Sequence, residues 1–567
     1  MFGDPYCARR ARDPGVGTGD GTVLSLARGH SRMTAAADRL LVDAEVHTLT
    51  EPDTVADAVA IRDGEIVRLG RTSEITFLAG VETDVINCGG RVVLPGFIDA
   101  HTHMEQLGQH LVHADLSDAD GPDECVRLLR EQAERDPDRE WILGFGYDES
   151  EWTDTRSTPL TRADLDRVSE DRPVVAMRVD LHTASLNAVA LERLADDLPD
   201  SDLRTEGGEP TGVAVEDAAE AVRTGLTADG EEMRTVLAAA TEYAVERGVT
   251  GVHDKVRGSV APRTYREMAA DGDLPLRVRI DYWSDHLEAL VDVGVGTNDG
   301  GDRVRTGAIK SFSDGSFGSR TARLREPYAD EDGDRGETDD TGRGDDASAS
   351  DGERGQWVVD PEALSALVDR ADGEGYQVCI HAIGDEAIEE TLSILESTAD
   401  PGGSRHRIEH AELATDDHLE RMAETGIVAS MQPNFHRWAA EGGLYDRCLG
   451  TDRRERTNRF RRVLDAGVPL AFGSDCMPLD PLLGVHHAVN APTDRQRLSV
   501  TEALRAYTRG AAVAGFDDDR LGTVESGKRA DLVVLEASPW ERPDRIDEID
   551  VAMTLVDGEV VFDGREA

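Results

Sequence analysis

Two histidines one residue apart, His101 and His103, close the apolar stretch Val92-Val93-Leu94-Pro95-Gly96-Phe97-Ile98-Asp99-Ala100. On a β-strand, side chains at i and i+2 leave the same face, so the pair can hold one metal ion between them. An isolated His-x-His is weak evidence of a metal site, but the rest of the chain supplies what this pair lacks. Lys310, His381, His410 and Asp475 each stand at the end of a later β-rich run. Together the six offer four imidazoles, one amine and one carboxylate.

These residues need elements that bring them to one place. Short β-rich runs alternate with helical segments, which points to a parallel βα architecture. Eight strands are expected, at 93–101, 248–254, 276–282, 307–312, 378–383, 407–413, 428–433 and 470–475. Eight closes a (β/α)₈ TIM-like barrel, whose C-terminal strand ends carry function. The expected fold class is therefore α/β, with the barrel over 93–517. This count treats about 105–247 as an insertion after the first strand, with strands of its own at 141–147 and 174–181.

Outside the barrel, β-rich segments at both ends lack enough strands for separate cores. An Asp-Gly pair fits a two-residue hairpin at Asp63-Gly64, and the segment 553–562 reads as a second hairpin. Residues 36–92 and 518–567 are expected to combine into one small composite β-sandwich. Residues 1–35 read as a disordered or mis-assigned tail, with Met33 as an alternative start. Arg9-Arg10 is followed by no apolar region of signal-peptide length, so it is not read as an export signal. The segment 330–354 holds eleven acids and three arginines among small polar residues. An acidic mobile loop is expected over about 330–356, on the side where barrel loops meet substrate.

Composition excludes several classes. With 114 acidic against 61 basic residues the net charge is -53, which opposes nucleic-acid and anionic-membrane binding. Only Lys255, Lys310 and Lys528 are lysines. Charge on this scale needs screening, so a salt-rich cytoplasm is the expected setting. No apolar run is long enough to span a bilayer. The six cysteines are scattered without a disulfide or zinc-finger spacing, and Cys476 reads as a space-filling residue. A small-molecule substrate is expected, and a homo-oligomer is left open.

The chain resembles the amidohydrolase superfamily, and within it the amidohydrolase family 3 or YtcJ-like group, which includes N-substituted formamide deformylase. The resemblance is carried by Leu94-Pro95-Gly96-Phe97-Ile98-Asp99-Ala100-His101-Thr102-His103 and by Lys310 in Lys-Ser-Phe-Ser-Asp-Gly-Ser-Phe-Gly-Ser-Arg-Thr-Ala. His381 in Ile-His-Ala-Ile-Gly-Asp, Glu409-His410-Ala411 and Gly473-Ser474-Asp475 complete it. It implies a divalent metal centre, with zinc expected and one or two ions. His101, His103 and Asp475 would hold one ion, and His381 and His410 a second. Lys310 would carry a CO₂-derived carbamate bridging the metals; the alternative is a lysine paired with an acid such as Asp314. Zinc lowers the pKa of bound water to about 7, and Asp475 would take the proton as that water attacks a carbonyl.

Substrate contacts are expected from the insertion and the barrel rim. His182, in Asp-Leu-His-Thr-Ala-Ser-Leu-Asn, is a candidate catalytic residue, with Tyr147, Asp148, Asn187 and Gln432 as substrate-binding candidates. His253 is a candidate partner of the site, and His486-His487 reads as surface or packing. The expected activity is hydrolysis of a carbon–nitrogen bond, in a linear amide or N-substituted formamide. The alternatives are a cyclic amide, an ester or a deaminated ring, or a non-catalytic metal-binding regulatory protein.

Overall fold

The computed structural model describes residues 36–566, apart from 150–151, 153–157, 180–181, 227–229 and 330–350. The expected N-terminal tail and most of the expected acidic loop lie outside the described residues. At the centre stands a sheet of eight strands, and the barrel expected from the sequence is present. These are β1 (Phe97–Thr102), β2 (Val249–Val256), β3 (Arg277–Trp283), β4 (Val304–Phe312), β5 (Val378–Ala382), β6 (Arg407–His410), β7 (Val428–Met431) and β8 (Leu470–Phe472). They lie side by side in chain order, every paired neighbour parallel. Just past β8, the Asp475 N–H donates to the His101 carbonyl at 2.8 Å, joining the last strand end to the first.

The first expected strand, 93–101, is in fact two. Val92–Pro95 pairs with Glu45–His47 and with Leu532–Leu535 in a separate six-stranded sheet, and only Phe97–Thr102 enters the barrel. The break falls at Gly96, where a Cβ would lie 2.2 Å from the Thr250 side chain, so only glycine permits that close crossing. A four-stranded sheet faces the six-stranded one. The two share a core that includes Leu41, Val59, Ile61, Val93, Leu532 and Leu555. Residues from both ends of the chain thus build one β-structure. Both Asp-Gly turns have positive φ at each central residue, Asp63-Gly64 and Asp557-Gly558, as two-residue hairpins require.

The insertion after β1 forms its own six-stranded mixed sheet, including Ile142–Tyr147 and Val174–Arg178. Helix α1 (Met104–Val112), which leaves β1 at His103, packs against α2 (Gly230–Glu246), which returns the chain to β2. Gly108 makes the approach possible: a Cβ there would lie 2.1 Å from the Val236 carbonyl oxygen. Among the described residues no helix is long and apolar enough to cross a membrane.

Candidate metal centre

His101 is the next-to-last residue of β1 and is 1 % exposed. Its Nδ1–H donates to Glu409 Oε2 at 2.6 Å. Glu409 is fully buried and its other oxygen is ion-paired with Arg407 at 2.7 Å. Burial pushes the Glu409 carboxyl up, but Arg407, Lys255 and Lys310 outweigh it and hold it down at about 2. A carboxylate that stays ionised fixes the proton of His101 on Nδ1 and leaves Nε2 as a lone pair. Burial also holds His101 neutral, aided by the Lys255 charge.

That lone pair faces another acceptor. His101 Nε2 lies 3.5 Å and His103 Nε2 3.1 Å from Asp475 Oδ1. The three atoms lie within 4.8 Å of one another, the separation expected of ligands to one ion. A lone pair turned onto a carboxylate is repulsive until a cation lies between them, so the donor set fits a divalent metal. His103 reaches this point differently from the expectation of a shared strand face. It lies beyond the end of β1, at the N-cap of α1 with φ -130° and ψ 73°, and its N–H donates to Cys476 Sγ at 3.2 Å.

Two further imidazoles stand beside the cluster. The His410 ring centroid is 5.0 Å from that of His101 and 4.4 Å from that of His381. His410 Nδ1–H donates to Gln432 Oε1 at 2.7 Å, and His381 Nε2–H donates to the Gly315 carbonyl at 3.0 Å. Each ring therefore keeps one unprotonated nitrogen. Burial lowers both, His410 to about 4, so both are neutral ligand-type groups at pH 7. Lys310 is fully buried, its Nζ 4.4 Å over the Phe312 ring, which stacks on His381. Nζ makes no hydrogen bond among the described residues. Asp314 is not its partner: that carboxylate accepts backbone N–H bonds from Arg323, Ile383 and Gly384.

The backbone is bent to aim these groups. His410 and Ala411 at the end of β6, and Asp475 and Cys476 past β8, all adopt left-handed φ between 47° and 71°. Non-glycine residues there store strain that the surrounding packing must hold. Gly473 admits the turn, because a Cβ would lie 2.5 Å from His101 N. Asp99 ties the same corner, accepting N–H bonds from His101 and Ser474 at 3.1 and 2.9 Å.

The structure does not bring every candidate to this point. Tyr147 is buried in the insertion, its hydroxyl 2.9 Å from that of Ser185. Asp148 is ion-paired with Arg178 at 2.8 Å. Asn187 is buried and caps a helix: its oxygen accepts from Val174 and Ala190 N–H, and its amide donates to the Ser169 and Arg172 carbonyls. Gln432 holds His410 from behind. His182 is 69 % exposed and lies with His103 on the wall of a cleft of about 760 Å³, its Nδ1 3.2 Å from Glu216 Oε2. Phe145, Met177 and Trp283 add apolar surface to that wall.

Four charged residues of the barrel interior, Glu409, Arg407, Lys255 and Asp281, have no role among the expectations from the sequence. Arg407 spans the barrel interior, donating to the Ala100 carbonyl and to His253 Nδ1 at 2.6 and 2.9 Å. Lys255 and Asp281 form a buried pair at 2.7 Å. The available signal was charge at alternate positions of barrel strands, Lys255 after His253 and Glu409 after Arg407, where apolar residues are the rule.

The amidohydrolase family model matches residues 84–562. Putative amidohydrolase YtcJ of Bacillus subtilis is 30% identical over 91% of this chain and 98% of its own length. N-substituted formamide deformylase of Arthrobacter pascens is 26% identical over 93% of this chain and 98% of its own. A solved structure titled an uncharacterized metal-dependent hydrolase from Pyrococcus horikoshii superposes with a TM-score of 0.74 at 28% identity, covering 88% of this chain and 98% of that one.

Proposed function

The chain belongs to the amidohydrolase family of metal-dependent hydrolases, and on that premise we propose that it cleaves the carbon–nitrogen bond of a linear amide or N-substituted formamide. The observation that carries the reading is the convergence of His101 Nε2, His103 Nε2 and Asp475 Oδ1, with Glu409 fixing the His101 proton on the far nitrogen. The likeness to N-substituted formamide deformylase supports the substrate class. His101, His103 and Asp475 would hold one divalent ion, zinc by the imidazole-rich donor set, and His381 and His410 a second. When bound, the ion supplies an acidified water and polarises a substrate carbonyl.

The residues of the chain do the rest. Asp475 accepts the proton of the attacking water on its carboxylate and returns it to the departing nitrogen. His182, on the cleft wall, orients the substrate amide above His103, and the apolar side chains there take the substituent on nitrogen. Lys310 carries a carbamate: its neutral amine adds to CO₂, forming an N–C bond and releasing one proton. A buried donor without a partner becomes an oxygen anion facing imidazoles, which supports this assignment. Incubation with 13C-labelled CO₂ should place one labelled carbonyl at Lys310. The net charge of -53 supports a salt-adapted, cytoplasmic protein, whose stability rises with KCl.

The deciding experiment uses metal-loaded protein in KCl against N-substituted formamides and larger linear amides, reading formate or amine release. Turnover on formamides, lost in Asp475→Asn, is the expected result. An enzyme that leaves every linear amide intact but opens a cyclic amide or cleaves an ester would refute the substrate assignment.

A further inference from the structure

At the other end of the barrel, where β2, β3 and β4 begin, lies a cavity of about 20 Å³. Five arginines, Arg277, Arg279, Arg303, Arg305 and Arg520, share its wall with only two acids, Asp302 and Asp517. In a chain of net charge -53 this is a reversal of sign. Four of the arginines have counter-charges. Arg277 pairs with Asp531 and Asp557 at 2.6 Å, Arg303 with Asp557 at 3.1 Å, and Arg305 with Asp517 at 3.0 Å. Arg520 pairs with Asp302 at 2.9 Å and Asp517 at 3.1 Å.

Arg279 is the exception. It is 3 % exposed, and its Nη2 donates to Asn298 Oδ1 at 2.7 Å. Nε and Nη1 make no hydrogen bond among the described residues. The nearest carboxylate on its own strand, Asp281, is already engaged by Lys255 and by the Ala308 N–H, both at 2.7 Å. Burial, only partly offset by the charges of Asp281 and Asp517, lowers the Arg279 guanidinium to about 10, and neither carboxylate forms an ion pair with it. His253, also on the wall, accepts from Arg407 on Nδ1 and so carries its proton on Nε2. The cavity therefore has donors to spare, while both of its carboxylates are spent on arginines.

A water in this place could accept from Arg279 but would have two protons of its own to place. An anion has none, and it supplies the charge that a buried guanidinium needs. The space suits one monatomic ion and is too small for a sulfate or phosphate. We propose that the cavity beneath the barrel is a chloride site, with Arg279 Nε and Nη1 as its principal donors. Chloride there ties the beginnings of β2, β3 and β4 to the segment that carries Asp517 and Arg520. It stabilises the folded chain in proportion to the logarithm of chloride concentration once the site fills.

The test compares thermal unfolding in KCl and in potassium gluconate at matched ionic strength, for wild type and Arg279→Gln. Wild type should melt higher in chloride by about 2 °C or more, and Arg279→Gln should lose that difference. Crystals of wild type soaked in bromide should show an anomalous peak within hydrogen-bond reach of Arg279 Nε and Nη1. Equal melting of wild type in the two salts, or a cavity without bromide, overturns the proposal. If Arg279→Gln does not fold, the bromide peak in wild type decides.

Discussion

Beside His101 two acceptors, its own Nε2 and Asp475 Oδ1, face each other, and around Arg279, at the other end of the same strands, the unpaired atoms are donors. Between the two lies a third arrangement. Arg407, Glu409, Lys255 and Asp281 are all fully or nearly fully buried, yet their charges face one another within the barrel. The middle is self-compensated and the two ends are not. In a dry interior an unbalanced set of lone pairs or protons is costly, so the imbalance itself names the ligand: a cation at the mouth, an anion at the base.

The largest effect should come from the mouth. Asp475→Asn keeps the shape of the side chain and an oxygen toward His103, but removes the base. Turnover should fall by about 10²–10⁴-fold, while elemental analysis finds the metal largely retained. Near-normal turnover would mean that the surplus of acceptors serves binding alone. Next is Glu409→Gln, which touches no substrate. It frees the His101 ring to choose its tautomer and leaves Arg407 with only Asp281, at 3.7 Å, as a buried counter-charge. Metal affinity should drop by about 10–100-fold, and the 15N shifts of His101 in metal-free protein should report mixed tautomers. An unchanged affinity would detach the compensated middle from the mouth.

Much of this was legible in the sequence, and the failures have physical causes. The barrel's strands were visible because parallel strands buried on both faces read as apolar runs. The ligand types at their ends were visible for the same reason, as polar residues where such runs stop. Strand 93–101 was read as continuous because Pro95-Gly96 can pass for a bulge within a strand. Nothing local shows that Val92–Pro95 is claimed by Leu532–Leu535, more than 400 positions away. The placement of His103 was missed with it, since the strand ends at Thr102 and a helix begins at Met104. Asn187 was taken for a substrate group because it closes the segment of the insertion that begins with Asp-Leu-His182; only the fold shows all its hydrogen-bonding positions in use.

Two glycines compare the ends sterically. Gly473→Ala would drive a Cβ to 2.5 Å from the His101 backbone, and Gly515→Ala one to 2.7 Å from His253 Nε2. A backbone atom cannot yield as a ring can. Gly473→Ala should therefore cost about 2–3 kcal/mol and weaken metal binding, whereas Gly515→Ala should cost about 1 kcal/mol and leave metal binding intact. The two are separated by urea midpoints and metal titration. Equal losses of metal affinity would show that the ends are mechanically coupled.

The smallest effect on activity is expected from the group with a complete inventory. Asn187 accepts twice and donates twice, all to the backbone of the insertion, so it has neither a lone pair nor a proton left for a ligand. Asn187→Ala removes a helix cap and should cost about 1–2 kcal/mol of stability, read as a lower urea midpoint. KM and kcat of the surviving folded protein should stay at the wild-type values, because the side chain is buried away from the cleft that His182 and His103 share. A raised KM at unchanged stability would reverse this. It would show that a fully partnered amide can still be recruited by substrate, and that counting unpaired lone pairs and protons does not suffice to find the groups that bind.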